Sequence, residues 1–264
     1  MPYNKFMMIG SLILLVGMSQ YNSLHLPSES RLKSFQKNTQ TWLLNFGEKI
    51  PTGWVVNKSN QRLSLSSKHK GLATLQINPD AKSNCLLVSP HPFFDTHSKE
   101  IAKALFEKIC KGFLYSNTHR KTEYINGTTP RFYEPTRHNR SYLQAFTRAW
   151  ANSYPNSIHI QLHGFDSNKR KTLPGRKAQI IISDGSHNPS ALLFSLQQCF
   201  RRQGFVNTFV FGKDISELGA TKNAQRSVLV EKDNFIHIEL SNETRRTLMT
   251  YPQKLKKVAR CFDL

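Results

Sequence analysis

The chain has 264 residues and a mass of 30.3 kDa, the size of one α/β domain with room for a small N-terminal appendage. Lys and Arg number 37 against 17 Asp and Glu, a formal charge of +20 with a pI near 10, which favours anionic partners. The apolar share of 38% is lean but sufficient for a packed core, which excludes a chain without one. Basic residues are spread along the chain (Lys169-Arg170-Lys171, Arg201-Arg202, Arg245-Arg246, Lys254 with Lys256-Lys257), as in a basic surface rather than a basic tail.

The apolar run from Phe6 to Met18 follows Lys5. It is shorter than the roughly 20 residues of a membrane span and suits the h-region of a secretory signal. Gly17 and Ser19 fit a cleavage site, so 1–19 reads as a signal peptide or an uncleaved anchor. No cysteine follows the run, which excludes a bacterial lipoprotein anchor. The expected location is secreted or periplasmic, with membrane contact only through an uncleaved inner-membrane anchor.

Residues 20–35 are polar and Ser-rich and read as a linker. Residues 36–80 read as a β-rich extension of the catalytic domain, with alternating stretches at Gly53-Trp54-Val55-Val56 and Ala73-Thr74-Leu75-Gln76-Ile77. Residues 81–264 form the α/β domain proper. Strands are expected at 85–90, 113–117, into His163, into Asp184, at 205–211 and at 235–240. Helices are expected near 98–111, 139–151, 189–203 and 243–260, and 121–137 has no clean period. The alternation predicts a three-layer α/β/α fold on a mixed, mostly parallel sheet.

The 4 cysteines, Cys85, Cys110, Cys199 and Cys261, show no CxxC spacing, which disfavours a zinc knuckle or a thioredoxin-type site. An even count in an oxidising compartment permits disulfides. Cys85 begins a strand and Cys110 ends the helix returning antiparallel to it, so a Cys85–Cys110 bridge is geometrically open beside the other pairings.

Several apolar segments end in residues able to do chemistry: His91, His163, Asp184 and, within Ile236-His237-Ile238-Glu239, a late-strand carboxylate. Ligands gather at the carboxyl ends of parallel strands. Two imidazoles and one carboxylate suit a catalytic zinc ion, which activates a water when the fourth position is left open. His91, Asp95 and His163 are the candidate ligands. Glu239 is the candidate general base, since a carboxylate in an apolar strand needs a partner or a pocket. Asp184 fits either a partner orienting a metal ligand or a turn-initiating Asp-Gly. Asp95 also fits a plain helix cap. There is no His-Glu-x-x-His, Gly-x-Ser-x-Gly, Walker loop or Gly-x-Gly-x-x-Gly.

Pro90-His91-Pro92-Phe93-Phe94-Asp95, followed by Ser98-Lys99-Glu100-Ile101-Ala102, resembles the first metal motif of the poly-γ-glutamate hydrolase-like proteins. These belong with the zinc carboxypeptidases and the N-formylglutamate amidohydrolases, and the resemblance spans roughly residues 84–250. It implies a zinc carboxypeptidase-like (phosphorylase/hydrolase-like) fold, a zinc ion on His91, Asp95 and His163, and Glu239 as catalytic base. Thr118-His119-Arg120 stands where relatives carry an Asn-Arg or His-Arg pair. Arg120, with His119 beside it, would accordingly hold an anionic substrate. Arg245, in Asn242-Glu243-Thr244-Arg245-Arg246, fits either a substrate-binding residue or the plain start of the last helix. Asp95 departs from the more usual Glu, and the spacing differs from His-x-x-Glu, which leaves His97 as the substitute ligand.

The expectation is an exported zinc metallohydrolase, amidohydrolase- or carboxypeptidase-like, acting on an acidic peptide or a γ-glutamyl polymer. The rival is a non-catalytic basic protein binding an anionic envelope polymer or nucleic acid. A specific nucleic-acid partner is disfavoured by the secretory signal and by aromatic residues that are not interleaved with basic ones.

Overall fold

The computed structural model describes residues 26–46, 50–59, 61–67, 72–126 and 129–262, so the expected signal peptide lies outside the described residues. Helix α1 (Glu29–Asn45) starts inside the stretch expected to be a linker, which corrects that expectation. Ser28 caps it by accepting from Arg31 N at 3.2 Å, and Leu32, Phe35, Thr39, Trp42 and Leu43 form its buried stripe. The polar, Ser-rich composition hid a stripe whose apolar members are three, seven and one apart.

Strands β1 (Trp54–Ser59), β2 (Arg62–Ser67) and β3 (Ala73–Ile77) form an antiparallel meander. Next come β4 (Leu86–Ser89), α2 (Ser98–Ile109), β5 (Gly112–Ser116) and the small hairpin β6 (Glu123–Asn126) and β7 (Thr129–Phe132). They are followed by α3 (Tyr142–Ser153), β8 (His159–Phe165), α4 (Leu173–Lys177), β9 (Ile180–Ser183), α5 (Ala191–Arg202) and β10 (Thr208–Val210). Strand β11 (Phe235–Ser241) precedes α6 (Asn242–Thr250) and α7 (Pro252–Ala259). The helix expected over 243–260 is broken because Pro252 lacks the N–H to continue α6 and instead opens α7.

The main sheet has the order β1-β2-β3-β5-β4-β8-β11-β9-β10. Its centre, β5-β4-β8-β11, is parallel, while the β1–β3 flank and the β11–β9 seam are antiparallel. Helices cover both faces, giving the expected three layers on a mixed sheet. The N-terminal meander is part of this same sheet, joined through β3 to β5.

One face carries Leu87, Phe113, Ile160, Leu162, Ile236 and Ile238, packed with residues of α2, α5, α6 and α7. The other carries Leu75, Leu86, Val88 and Leu114 under α1 and α3, around Trp42, Phe146 and Trp150. At β8 and β11 this second face turns polar. Alternation brings His159, Gln161 and His163 to it from β8, and His237 and Glu239 from β11, all of them buried. Two disulfides, Cys85–Cys110 and Cys199–Cys261, join all 4 cysteines. Among the described residues no helix is long and apolar enough to cross a membrane.

Candidate metal centre

The centre begins where β4 ends. After Pro90 the backbone makes a single helical turn, with Phe94 N and Asp95 N both donating to His91 O, at 3.0 and 2.8 Å. Such a turn stacks side chains four residues apart, so the Asp95 carboxylate comes back beside the His91 imidazole. Strand β8 delivers His163 from the same sheet edge, opposite Glu239 in the β8–β11 register.

Three atoms converge. His91 Nδ1 lies 3.1 Å from His163 Nδ1, and Asp95 Oδ2 lies 3.5 Å from the first and 3.3 Å from the second. A tetrahedron with zinc–nitrogen or zinc–oxygen bonds of about 2.0–2.2 Å has edges of about 3.3–3.6 Å. The triangle is therefore close to one face of a zinc site. His91, Asp95 and His163 are all buried, and Asp95 Oδ2 has no hydrogen-bond partner. An orphaned buried carboxylate oxygen between two imidazole nitrogens is a strong sign that a cation belongs there.

The remaining nitrogens are engaged elsewhere. His91 Nε2 donates to Glu134 Oε1 at 2.5 Å, and His163 Nε2 lies 3.0 Å from Gln161 Oε1. Carboxylate or carbonyl partners of this kind orient metal-bound histidines. Glu134 also accepts from Thr136 Oγ1 at 2.8 Å and pairs with Arg120 Nη2 at 3.2 Å.

The electrostatics follow. Burial opposes ionisation of Asp95, yet the imidazoles of His163 and His91 hold its carboxyl well below the usual range. Glu134 is likewise opposed by burial and brought down to about 2 by His91, Thr136 and Arg120. For His91, burial is outweighed by the carboxylates of Asp95 and Glu134, which raise its proton affinity; for His163 burial prevails and lowers it. Burial, then repulsion from Asp95, pushes Glu239 up to about 8, and its Oε2 is unpartnered.

A cavity of about 690 Å³ opens over this polar face, lined by His91, Asp95, His163 and Glu239 together with Arg120, Arg170 and Lys222. Two overlapping groups among the described residues could hold a cation: His91, Asp95 and His163, and His163, His237 and Glu239. In the second, His237 Nε2 stands 3.7 Å from Glu239 Oε1. The first matches the tetrahedral edge, which leaves the Glu239 carboxylate available for proton transfer.

Other sequence-predicted residues fall differently. His97 precedes α2 with a left-handed φ of 70° and does not line the cavity, so Asp95 and not His97 completes the trio. Asp95 caps nothing with its side chain. His119 does not itself line the cavity: its Nδ1 accepts from Lys121 N at 3.1 Å, and its ring lies 6.1 Å from that of Phe94, which does. Arg245 lies in the first turn of α6, one of the two readings open to it, and does not line the cavity. It is buried at 4% exposure and donates to Thr96 O at 2.7 Å, to Asn242 Oδ1 at 2.5 Å and to Leu240 O. Those contacts bolt the turn after Asp95 to the ends of β8 and β11. Gly164 makes this possible, since a Cβ there would collide with the Arg245 guanidinium. Asp184 follows the turn reading, accepting from Ser186 N and Ser190 N at 2.9 Å each, and β9 runs antiparallel to β11, which carries its end away from the metal edge.

Glu134, Gln161 and His237 are the residues the sequence reading missed. The last two were visible as polar residues at every second position of apolar strands, His159-x-Gln161-x-His163 and His237-x-Glu239. Glu134 had no local signal.

No protein-family model and no curated protein matches the chain. Solved structures do. The gene product Atu2144 from Agrobacterium tumefaciens has a TM-score of 0.43 at 14% identity, covering 73% of this chain and 91% of that one. A bacteriophage poly-gamma-glutamate hydrolase has 0.43 at 10%, covering 75% and 88%, and a zinc-free YndL has 0.42 at 14%, covering 83% and 91%. All three scores lie below 0.5, and the roles assigned below rest on the residues of this chain.

Proposed function

We propose that the chain is a zinc-dependent hydrolase of amide or peptide bonds, with His91, Asp95 and His163 as ligands and Glu239 as general base. The observation that carries this reading is the buried triangle of His91 Nδ1, His163 Nδ1 and Asp95 Oδ2 at 3.1–3.5 Å, matching a tetrahedral zinc face. A zinc ion held there supplies Lewis-acid polarisation of a carbonyl and a water acidic near neutrality. Glu239, on the strand beside His163, would accept the proton of the attacking water and pass it to the leaving amine, a cation at the three ligands favouring its carboxylate form against the burial that raises its pKa to about 8. Burial at 7% exposure keeps bulk water from competing for that proton.

The substrate class is acidic: a γ-glutamyl polymer or a cell-wall peptide containing γ-linked glutamate. Arg120, Arg137, Lys169, Arg170 and Lys222 all line the cavity, which supports an anionic ligand. Arg120 is already paired with Glu134, but its side chain is 38% exposed and its guanidinium lies over Phe94 at 4.6 Å, so it serves both the ligand shell and the substrate. We also propose export to a secreted or periplasmic location. The apolar Phe6–Met18 run and the pairing of all cysteines support an oxidising compartment.

Metal analysis of purified protein tests the reading. The expected result is one equivalent of zinc, lost in His163→Ala. It is retained in Glu239→Gln, with hydrolysis of γ-glutamyl or N-acyl substrates reduced at least about 10³-fold. Protein that binds no zinc when refolded in its presence, or a Glu239→Gln enzyme of full activity, refutes it.

A further inference from the structure

A line of hydrogen bonds runs from the metal centre into helix α3. His163 Nε2 faces Gln161 Oε1 at 3.0 Å, Gln161 Nε2 donates to Gln225 Oε1, and Gln225 Nε2 donates to Thr147 Oγ1 at 2.5 Å. Thr147 Oγ1 then donates to Leu143 O, one turn back in α3, at 2.9 Å. Every side chain in the line is buried, Gln161 and Thr147 at 0% exposure and Gln225 at 1%.

The polarity of this line is set from its α3 end by a group with no choice. Leu143 O is a backbone carbonyl and can only accept, so the Thr147 hydroxyl spends its one proton there. Thr147 Oγ1 must therefore accept from Gln225, which turns the Gln225 amide nitrogen toward α3 and its oxygen toward Gln161. Gln161 is then turned the same way, with its oxygen toward His163. Asn223 fixes that orientation independently. Its Oδ1 faces Gln225 N at 2.9 Å, a backbone donor that cannot accept, so its Nδ2 is the atom that donates to Gln161 Oε1 at 2.6 Å. Facing a carbonyl oxygen that already receives one hydrogen bond, His163 Nε2 has to carry the proton.

We propose that Thr147, Gln225, Asn223 and Gln161 are positioning residues that lock His163 as its Nε2–H tautomer and so present Nδ1 as a lone pair to His91 Nδ1 and Asp95 Oδ2. This rests on the zinc reading for its use, but the tautomer is a property of the metal-free chain. A far helix and Asn223 thus agree on which nitrogen the site offers. His91 needs no such line, because the Glu134 carboxylate at 2.5 Å accepts only.

The test is ¹⁵N-histidine NMR of the zinc-free full chain at neutral pH, with zinc affinity measured in parallel by chelator competition. The wild type is expected to show His163 protonated at Nε2. Thr147→Val and Gln225→Leu, each combined with Asn223→Leu because Asn223 alone would hold Gln161, are expected to give a mixture of tautomers and zinc binding weakened about 10–100-fold. Thr147→Ser with Asn223→Leu, which keeps the hydroxyl, should restore both. A wild-type His163 protonated at Nδ1 overturns the proposal without any variant having to fold. So do a wild-type tautomer and affinity in either double variant, or a Thr147→Ser with Asn223→Leu no better than Thr147→Val with Asn223→Leu. A correct tautomer in a chain that binds no zinc would instead refute the hydrolase reading alone.

Discussion

At Gly164 a hydrogen atom stands where any side chain would strike the Arg245 guanidinium, whose donors hold Thr96 O and Leu240 O in place. Gly164→Ala must displace Arg245, and a displaced guanidinium leaves buried carbonyls unpaired. The expected cost is about 1–3 kcal/mol of stability by chemical denaturation. Zinc affinity should fall with it, because the turn holding Asp95 is tied to the same bolt; unchanged stability would show that Arg245 has room to move. His159, further down the same strand, gives a pH prediction of known sign. Burial lowers its pKa to about 3 from an ordinary 6.5. The unfolded chain therefore binds the extra proton first, so stability is complete above pH 6.5 and declines as pH falls toward 3. At pH 5 the loss from this one residue is about 2 kcal/mol. His159→Leu should flatten the stability profile between pH 7.5 and 5, and a profile as steep as that of the wild type would rule out His159 as its source.

At the scale of elements, α1 shows what burial does to a segment of polar composition. Trp42 is 0% exposed and Phe35 sits among Trp54, Tyr142 and Phe146 at ring separations of 4.6–4.8 Å. Phe35→Ala, inside the stretch expected to be a linker, is expected to cost about 3–5 kcal/mol in urea unfolding, whereas a substitution in a true linker would cost almost nothing. Much else was legible. Periodicity located α2, α3, α5 and the core strands to within a few residues, and the strand ends exposed His91, Asp95, His163 and Glu239 as candidates. What periodicity cannot carry is direction and depth. The β9 pattern is the same whether the strand runs with or against β11, so Asp184 looked closer to the centre than it is. Arg245 begins a helix, and nothing in its neighbours says that it points inward. Glu134 reaches His91 from an irregular segment, across a distance of 43 residues in the chain that only the assembled fold closes.

For the whole molecule, the question is what a charge of +20 does around a centre that is itself rich in carboxylates. Asp95, Glu134 and Glu239 lie inside, where histidines, Arg120 and a cation would balance them, while Arg137, Lys169, Arg170 and Lys222 line the wider cavity. The two signs are thus separated by depth. On the proposed function an acidic substrate would meet attraction on approach and a proton acceptor at the floor, and the attraction would act over distances that dissolved salt screens, about 10 Å at 0.1 M. Steering of this kind speeds encounter more than it strengthens the final complex. Raising salt from 20 to 300 mM should therefore lower kcat/KM for a polyanionic γ-glutamyl substrate by about tenfold and leave kcat nearly unchanged. A neutral amide of the same bond type should show little response. Lys222→Glu with Arg137→Glu, two residues outside the ligand shell, should weaken the salt dependence of the acidic substrate while leaving the neutral one alone. Equal salt responses for both substrates would mean that the positive rim plays no part in capture, and that the charge serves the surface as a whole.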